Sequence, residues 1–327
     1  MSSFSVPFGY RMIHTRSLDE LHLQNSWLTI GVFDGVHRGH QRIINQLASG
    51  AHSNGAPAVV LTFWPHPAYV LGRGEGKTLT TPDERAELLG SFGVDVILTH
   101  SFDLEVAHLS AREFMLRLKK HMGLSHLLMG YDFALGKDRE GDATRLAELG
   151  RELDYSAEVI EAVSDESGVI SSTEIRKLVS VGDVADAAKL LGRNYSLRGP
   201  VMHGDGRGRK LSIPTANIDY PREKIIPANG IYAAWAWVDD IKHMAAVNIG
   251  TNPTFTPDKQ TPNVEAHILD FNRDIYRKDV KLEFVMRLRD ELKFDSAHAL
   301  IREIQQDIKH TRRILKAQSS LTKTEAG

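Results

Sequence analysis

The sequence predicts an α/β domain on a parallel sheet, followed by an antiparallel β-barrel or sandwich that ends in a helix. Three observations predict it. Up to about residue 190, continuous apolar runs alternate with amphipathic helical stretches, the pattern of strands covered on both faces. Beyond that point the texture becomes short β-rich runs broken by Gly, Pro, Asn and Asp. The 327 residues suffice for two domains, each with its own core.

In the first half, "WLTIGVF" (27–33) reads as a buried strand. A helix follows with Ile43, Ile44, Leu47 and Ala51 on one face. "PAVVLTF" (57–63) is the second strand. Thr81 caps the next helix, with Pro82 in its first turn. "VDVILTH" (94–100) is the third strand, and Ser110 with Glu113 forms a capping box for a helix running toward Met122. "SHLLMG" (125–130), a helix over 144–153 and a strand over 157–163 complete the alternation. Ligands in such sheets sit outside the carboxyl ends of the strands. Helices over 172–180 and 183–192 connect the halves, and the boundary falls at 190/191, giving domains 1–190 and 191–327. In the second half, "NGIYAAWAWVDD", "HMAAVNIGT", "VEAHILDF" and "VKLEFVMRLR" are the β-rich runs. Ser296 caps a last helix with Leu300, Ile301, Ile304 and Ile308 on one face, and the polar tail "AQSSLTKTEAG" reads as frayed. No internal repeat is evident.

The formal net charge of -2 gives no global footprint for nucleic acid or an anionic membrane, so a polyanion would have to be small and locally held. With no cysteine, thiolate catalysis, disulfides and cysteine-based zinc sites are excluded. The first residues lack a signal-peptide pattern, and no apolar run reaches the roughly 18 residues of a membrane helix. The expected location is the cytoplasm.

The chemistry concentrates first in "TIGVFDGVHRGHQRIINQL" (29–47). A strand, a glycine-rich turn and a helix start make a phosphate site, because the free N–H groups and the helix dipole favour an anion. Gly31, Gly35 and Gly39 permit close approach and positive φ. His37 and His40 add two N–H donors that can turn cationic near neutral pH. Such donors suit a phosphoryl group in transfer. A capped helix with a surface histidine, or a zinc pair lacking a third ligand, are the other two readings.

"LTFWPHP" (61–67) places His66 in a rigid turn at the carboxyl end of a strand. "MGYDFALGKDREGD" (129–142) suits a loop over a ligand, or a merely solvated one. Ser171, Ser172 and Thr173 open a helix with Arg176 one turn in; hydroxyls and a guanidinium fork can hold phosphate oxygens. "LGRGEGKT" (71–78) imitates a P-loop but has Leu71 where the first glycine belongs. "GDGRGRK" likewise fails the dinucleotide fingerprint. In the second half, Gly204, Gly206 and Gly208 leave backbone free to wrap an anion, and Arg207, Arg209 and Lys210 supply positive charge. Thr215 and Asn217 of "PTAN" offer hard oxygen ligands for magnesium. The bland reading is a basic hairpin.

"GVFDGVHRGH" resembles the signature of adenylyl- and cytidylyltransferases, with the Phe33-Asp34-Gly35 of the branch that handles flavins. The four segments together resemble the FAD synthetase module of the prokaryotic bifunctional riboflavin kinase/FAD synthetases. "IPTAN" after a Gly/Arg-rich loop, then "NGIYAAW", "AVNIGTNPTF" and "VEAHILDF", resemble riboflavin kinases. The resemblance spans residues 15–310. It implies a Rossmann-like nucleotidyltransferase domain, then a riboflavin-kinase-like barrel. It implies an ATP site at Gly31, Phe33, Asp34, Gly35, His37, Gly39, His40, Ser172, Thr173 and Arg176, with FMN at His66, Asp132 and Phe133. In the barrel it implies ATP at Gly204, Gly206, Arg207, Gly208, Arg209, Lys210, Thr215 and Asn217, Mg2+ at Thr215 and Asn217, and Glu265 as the base. Riboflavin, FMN, ATP and FAD are the implied small-molecule partners, with no nucleic acid or membrane. Leu135, Ser212, Ile213 and Arg277 depart from the usual pattern. A transferase for another phosphate, or a flavin-binding regulator without catalysis, are the rival readings.

Overall fold

The computed structural model describes residues 12–161, 164–165, 168–203, 213–250 and 262–324. The chain divides into two compact units, Met1–Ser172 and Thr173–Gly327.

The first unit runs β1 (Ile13–Thr15), β2 (Ser26–Ile30), α1 (Arg38–Ser53), β3 (Ala58–Trp64), α2 (Pro67–Val70), α3 (Pro82–Ser91) and β4 (Val96–Ser101). It continues with α4 (Leu104–Ala107), α5 (Ala111–Met122), β5 (Leu124–Gly130), α6 (Ala143–Leu153) and β6 (Ser156–Ile160). Two residue pairs, β7 (Ser164–Asp165) and β8 (Gly168–Val169), form a small antiparallel ladder. The six main strands lie in the order β1-β4-β3-β2-β5-β6, every pair parallel. Alternate residues explain the continuous apolar runs. Val59 and Leu61 face Phe114, Leu118 and Leu146 on one side, while Ala58 and Val60 face Ile44, Leu47 and Leu89 on the other. The predicted capping box of Ser110 with Glu113 is present, and the predicted Thr81 cap proves to be a capping box as well, closed by Glu84.

The topology fixes where a ligand can bind. From β2 the chain winds through β3 to β4, which lies beside β1; it then crosses back to β5 on the other side of β2 and moves outward to β6. The crevice at this switch, outside the carboxyl ends of β2 and β5, is flanked by the turn after Ile30 and the loop after Gly130.

Several element ends shift from the sequence reading, and two differences have a clear physical reason. The first predicted strand stops at Ile30 rather than Phe33, because Phe33 leaves extended geometry with φ 49°. The edge strand β1 was not read at all; it is three residues long and borrows its register from β4.

The second unit opens with helices α7 (Ser172–Val181, whose first residue belongs to the first unit) and α8 (Val184–Leu191). Six strands follow: β9 (Tyr195–Met202), β10 (Ala216–Ile218), β11 (Gly230–Val238), β12 (Ile241–Gly250), β13 (Asn263–Ile268) and β14 (Asp279–Arg289). They close into an antiparallel barrel in the order β10-β13-β12-β11-β14-β9, which settles barrel against sandwich. Leu197, Val201, Val264, Ala266, Val280, Leu282 and Phe284 are buried at alternate positions.

The last helix, α9 (Ala297–Thr324), packs on β11, β12 and β14. That is why β11 is buried on both faces: Ala233 and Trp235 meet Leu315 of the helix. The tail read as frayed is helical through Thr324. Trp235 Nε1 donates to Gln318 Oε1 at 2.7 Å, so a polar residue anchors the helix where the apolar stripe has ended. The expected face of Leu300, Ile301, Ile304 and Ile308 is only half-buried. Deeper contact comes from Asp307, which accepts from the Arg289 fork at 3.0 and 2.6 Å, and from Leu315. Among the described residues no helix is long and apolar enough to cross a membrane.

Gly199 marks the closest backbone approach at barrel closure: a Cβ there would lie 1.7 Å from the Asp219 carbonyl oxygen. Gly199→Ala is expected to cost about 1–3 kcal/mol by overpacking and to lower the melting temperature by several degrees. Gly74→Ala, which meets only ordinary contact at 3.8 Å, should leave melting unchanged in the same calorimetric scan.

Candidate functional sites

The turn between β2 and α1 is strained and held at almost every peptide. Phe33 (φ 49°) and Val36 (φ 42°) take left-handed backbone, an outlier for a β-branched residue that costs about 1–3 kcal/mol. Neighbouring side chains offset it. Thr62 Oγ1 donates to the Val32 carbonyl at 2.8 Å, Ser172 Oγ to the Asp34 carbonyl at 2.8 Å, and Gln41 Nε2 to the Val36 carbonyl at 2.8 Å. The Gly35 N–H donates to Thr80 Oγ1 at 3.1 Å, and the Val36 N–H to the Phe33 carbonyl at 3.0 Å.

This turn delivers His37 to the N-cap of α1. His37 Nδ1 accepts from the His40 N–H at 3.3 Å, so a neutral His37 carries its proton on Nε2. Gly39 makes the arrangement possible, since a Cβ there would lie 3.1 Å from the His37 ring. The two imidazoles stack at 3.6 Å between centroids, and Phe33 meets His40 edge-on at 5.1 Å. A Cβ on Gly31 would touch the Phe33 ring at 3.0 Å. The N–H groups of Arg38 and Gly39 open the helix and have no intrahelical partner.

The expectation that a histidine here can turn cationic near neutral pH is corrected for His40 by this packing. Burial, then the neighbouring His37, then Arg85 push the His40 pKa well below its ordinary value. His40 therefore enters as a neutral imidazole, and its buried Nδ1 has no hydrogen-bond partner in the structure.

Asp34 does not face the crevice. It is 1% exposed, and its carboxylate accepts from the Leu79 N–H at 2.9 and 3.0 Å, the Thr80 N–H at 3.1 Å and Thr80 Oγ1 at 3.2 Å. Arg85 lies behind it, also 1% exposed, with Nη2 3.7 Å from Asp34 Oδ1. Burial pulls the Arg85 guanidinium below its ordinary pKa, and Asp34 pulls it back up. Sequence reading missed Thr62, Thr80 and Arg85. "TLTTPDER" looked like a loop and a helix start, and nothing local marks an arginine that turns inward.

Other predicted residues are placed as follows. His66 caps α2, Nδ1 accepting from the Ala68 N–H at 3.1 Å. The loop after β5 is pinned at its neck, where Leu135 and Gly141 exchange backbone bonds of 3.0 and 2.9 Å. Leu135, the departure from an aromatic, is buried in the core, so it secures the loop rather than facing a ligand. Asp132 is exposed at the loop's start and Phe133 packs partly on the core. Thr173 and Arg176 belong to the second unit, where Arg176 Nη2 donates to Thr173 Oγ1 at 3.3 Å.

In the barrel, strand register assembles the polar cluster. Glu265 lies between Asn217 on β10 and Asn248 on β12, and buried Val264 and Ala266 flank it in sequence, which puts all three on the outer face. Thr215 Oγ1 is 3.4 Å from Glu265 Oε2. Asn248 was not anticipated; its Oδ1 is buried without a partner among the described residues. A cavity of about 360 Å3 adjoins Thr215, lined also by Ala266, Phe271, Arg273, Asp274 and Tyr276. Tyr276 stacks on His203 at 3.8 Å. Arg277, where glycine is usual, itself takes φ 64°, so the turn keeps its left-handed residue. Gly204, Gly206, Arg207, Gly208, Arg209, Lys210 and Ser212 lie outside the described residues; Ile213 is half-buried just before Pro214.

Residues 19–174 match the family described as FAD synthetase, and residues 191–315 the family described as riboflavin kinase. Fold and sites thus define a two-module enzyme of phosphorus transfer, one module a nucleotidyltransferase and the other a kinase. A bifunctional riboflavin kinase/FMN adenylyltransferase of Listeria monocytogenes is 36% identical over 91% of this chain and 95% of its own. The Escherichia coli K12 protein of that name is 34% identical over 86% and 90%. A solved structure described as a macrolide-efflux protein from Streptococcus pneumoniae is also similar, with TM-score 0.84 and 32% identity over 92% of this chain and 98% of that one. The chain belongs to the bifunctional riboflavin kinase/FMN adenylyltransferase family, with both activities and ATP as their common substrate.

Neutral His40 makes stability depend on pH with a definite sign. Below the ordinary value of 6.5, the unfolded chain binds a proton that folded His40 refuses. Its contribution is therefore complete above that pH and lost as pH falls beneath it. Melting temperature should drop more between pH 7.5 and 5.5 for the native protein than for His40→Gln, measured by calorimetry.

Proposed function

We propose that residues 1–190 adenylylate FMN and residues 191–327 phosphorylate riboflavin. In the first reaction an FMN phosphate oxygen attacks the α-phosphorus of ATP, the bond to the β-phosphate oxygen breaks, and pyrophosphate leaves. No covalent enzyme intermediate is needed. The ATP phosphates lie against the start of α1, where the Arg38 and Gly39 N–H groups and His37 Nε2 donate, and neutral His40 backs the His37 ring. Ser172 holds phosphate oxygens, and His66, Asp132 and Phe133 face FMN. Asp34 acts from behind, holding the turn. The observation that carries this reading is the position of the histidine turn, at the switch point of the sheet and over a helix N-terminus.

In the second reaction Glu265 takes the proton of the terminal ribityl hydroxyl as its oxygen attacks the γ-phosphorus, and ADP leaves. Thr215 and Asn217 would hold Mg2+. Their oxygens beside Glu265 form a hard donor set that fits the ion, and it would neutralise charge on the transferring phosphate. Among the described residues no three His, Asp or Glu side chains gather into a metal site. The cavity beside Thr215 takes the nucleotide. Use of ATP in both reactions supports a cytoplasmic location.

His37→Ala with His40→Ala should lower FAD formation from FMN at least about 10²–10³-fold and leave riboflavin phosphorylation intact. Glu265→Ala should lower FMN formation about 10²–10⁴-fold and leave FAD synthesis from supplied FMN intact. Product chromatography reads both. Either variant losing both activities while folded contradicts the assignment.

A further inference from the structure

We propose that Arg85 is a positioning residue for adenylyl transfer: its guanidinium fork sets the geometry of the histidine turn through Thr80 and Asp34. The inference rests on the reading of that turn as the ATP phosphate site.

Arg85 is among the largest fully buried side chains of the protein, and it is a cation. Stability alone gives little reason to keep it, since buried ionic groups are often replaced by apolar ones of similar volume without loss. Its contacts are specific instead. Nη1 donates to Thr62 Oγ1 at 3.0 Å and to the Phe63 carbonyl at 3.4 Å, at the carboxyl end of β3. Nε donates to Thr80 Oγ1 at 3.3 Å, Nη2 to the Thr80 carbonyl at 3.3 Å, and Asp34 faces the fork.

Thr80 is the relay. Its hydroxyl donates to Asp34 Oδ1 and accepts from both the Gly35 N–H and Arg85 Nε, which uses its one donor and both lone pairs. Thr62 is a second relay, accepting from Arg85 and donating to the Val32 carbonyl. Both paths end on neighbours of the strained residues that aim His37: Asp34 and Gly35 lie between Phe33 and Val36, and Val32 precedes Phe33. A planar fork with five donors can serve both threonines at once; a lysine ammonium cannot. The same cation is one cause of His40 staying neutral.

The full chain with FMN and ATP provides the test, and riboflavin phosphorylation by the same polypeptide is its control. Arg85→Lys should cut kcat for FAD formation about 10²-fold, the scale of a misplaced reacting group, with the KM for ATP within a few-fold of native. Thr80→Val should cut kcat about tenfold, and Thr80→Ser, which keeps the hydroxyl, should restore it. Native kcat in folded Arg85→Lys and Thr80→Val overturns the proposal, as does a rise in KM at native kcat. If Arg85→Lys does not fold, the comparison of Thr80→Val with Thr80→Ser decides alone, and equal kcat values overturn it. If the histidine variants keep FAD synthesis, the site reading itself has failed. If they lose it while Arg85→Lys and Thr80→Val do not, only the role of Arg85 has.

Discussion

The first unit depends on one buried carboxylate. Asp34 accepts from two consecutive backbone N–H groups and a hydroxyl, and a buried arginine stands behind it. Removing either charge would leave the other in a low-dielectric interior, at a typical cost of about 3–5 kcal/mol. That clamp holds Phe33 and Val36 in backbone geometry they would otherwise leave, and their geometry carries His37 to the helix start. The strain is local and the compensation lies across the sheet, in Thr62, Thr80, Arg85 and Ser172.

This arrangement favours electrostatics that need no rearrangement during reaction. A helix terminus, a histidine fixed as a donor by its own cap bond, and a neighbour kept neutral by burial are in place before ATP arrives. The barrel reaches a comparable state by another route. Its polar cluster comes from cross-strand register: three residues far apart in sequence become neighbours on one face of β10, β13 and β12. The terminal helix covers the opposite problem, the apolar outer face of β11.

Much of this is legible in the sequence. Parallel strands show as continuous apolar runs, helix starts as Thr81-Pro82 and Ser110…Glu113, and the phosphate turn as glycines and histidines at the mouth of a helix. What escaped has a common cause: it depends on partners distant in the chain. β1 is too short to carry its own periodicity. Arg85 reads as one more charge on an amphipathic helix until Asp34 is seen behind it. Asn248 matters only through register with Glu265. Asp34 was legible as part of a motif but not in its role, since the pattern cannot tell a ligand contact from a buried clamp. The tail of α9 misled because its anchor is a glutamine–tryptophan bond rather than an apolar stripe.

The central claim is that the turn after β2 cradles the triphosphate of ATP. A crystal structure of the protein with an ATP analogue carrying a methylene bridge between the α- and β-phosphorus tests it most directly. The account predicts the phosphates at the start of α1, within hydrogen-bond reach of His37 Nε2 and the Arg38 and Gly39 N–H groups, with Asp34 still turned inward. Triphosphate bound elsewhere in the first unit, with those donors facing solvent, would contradict it.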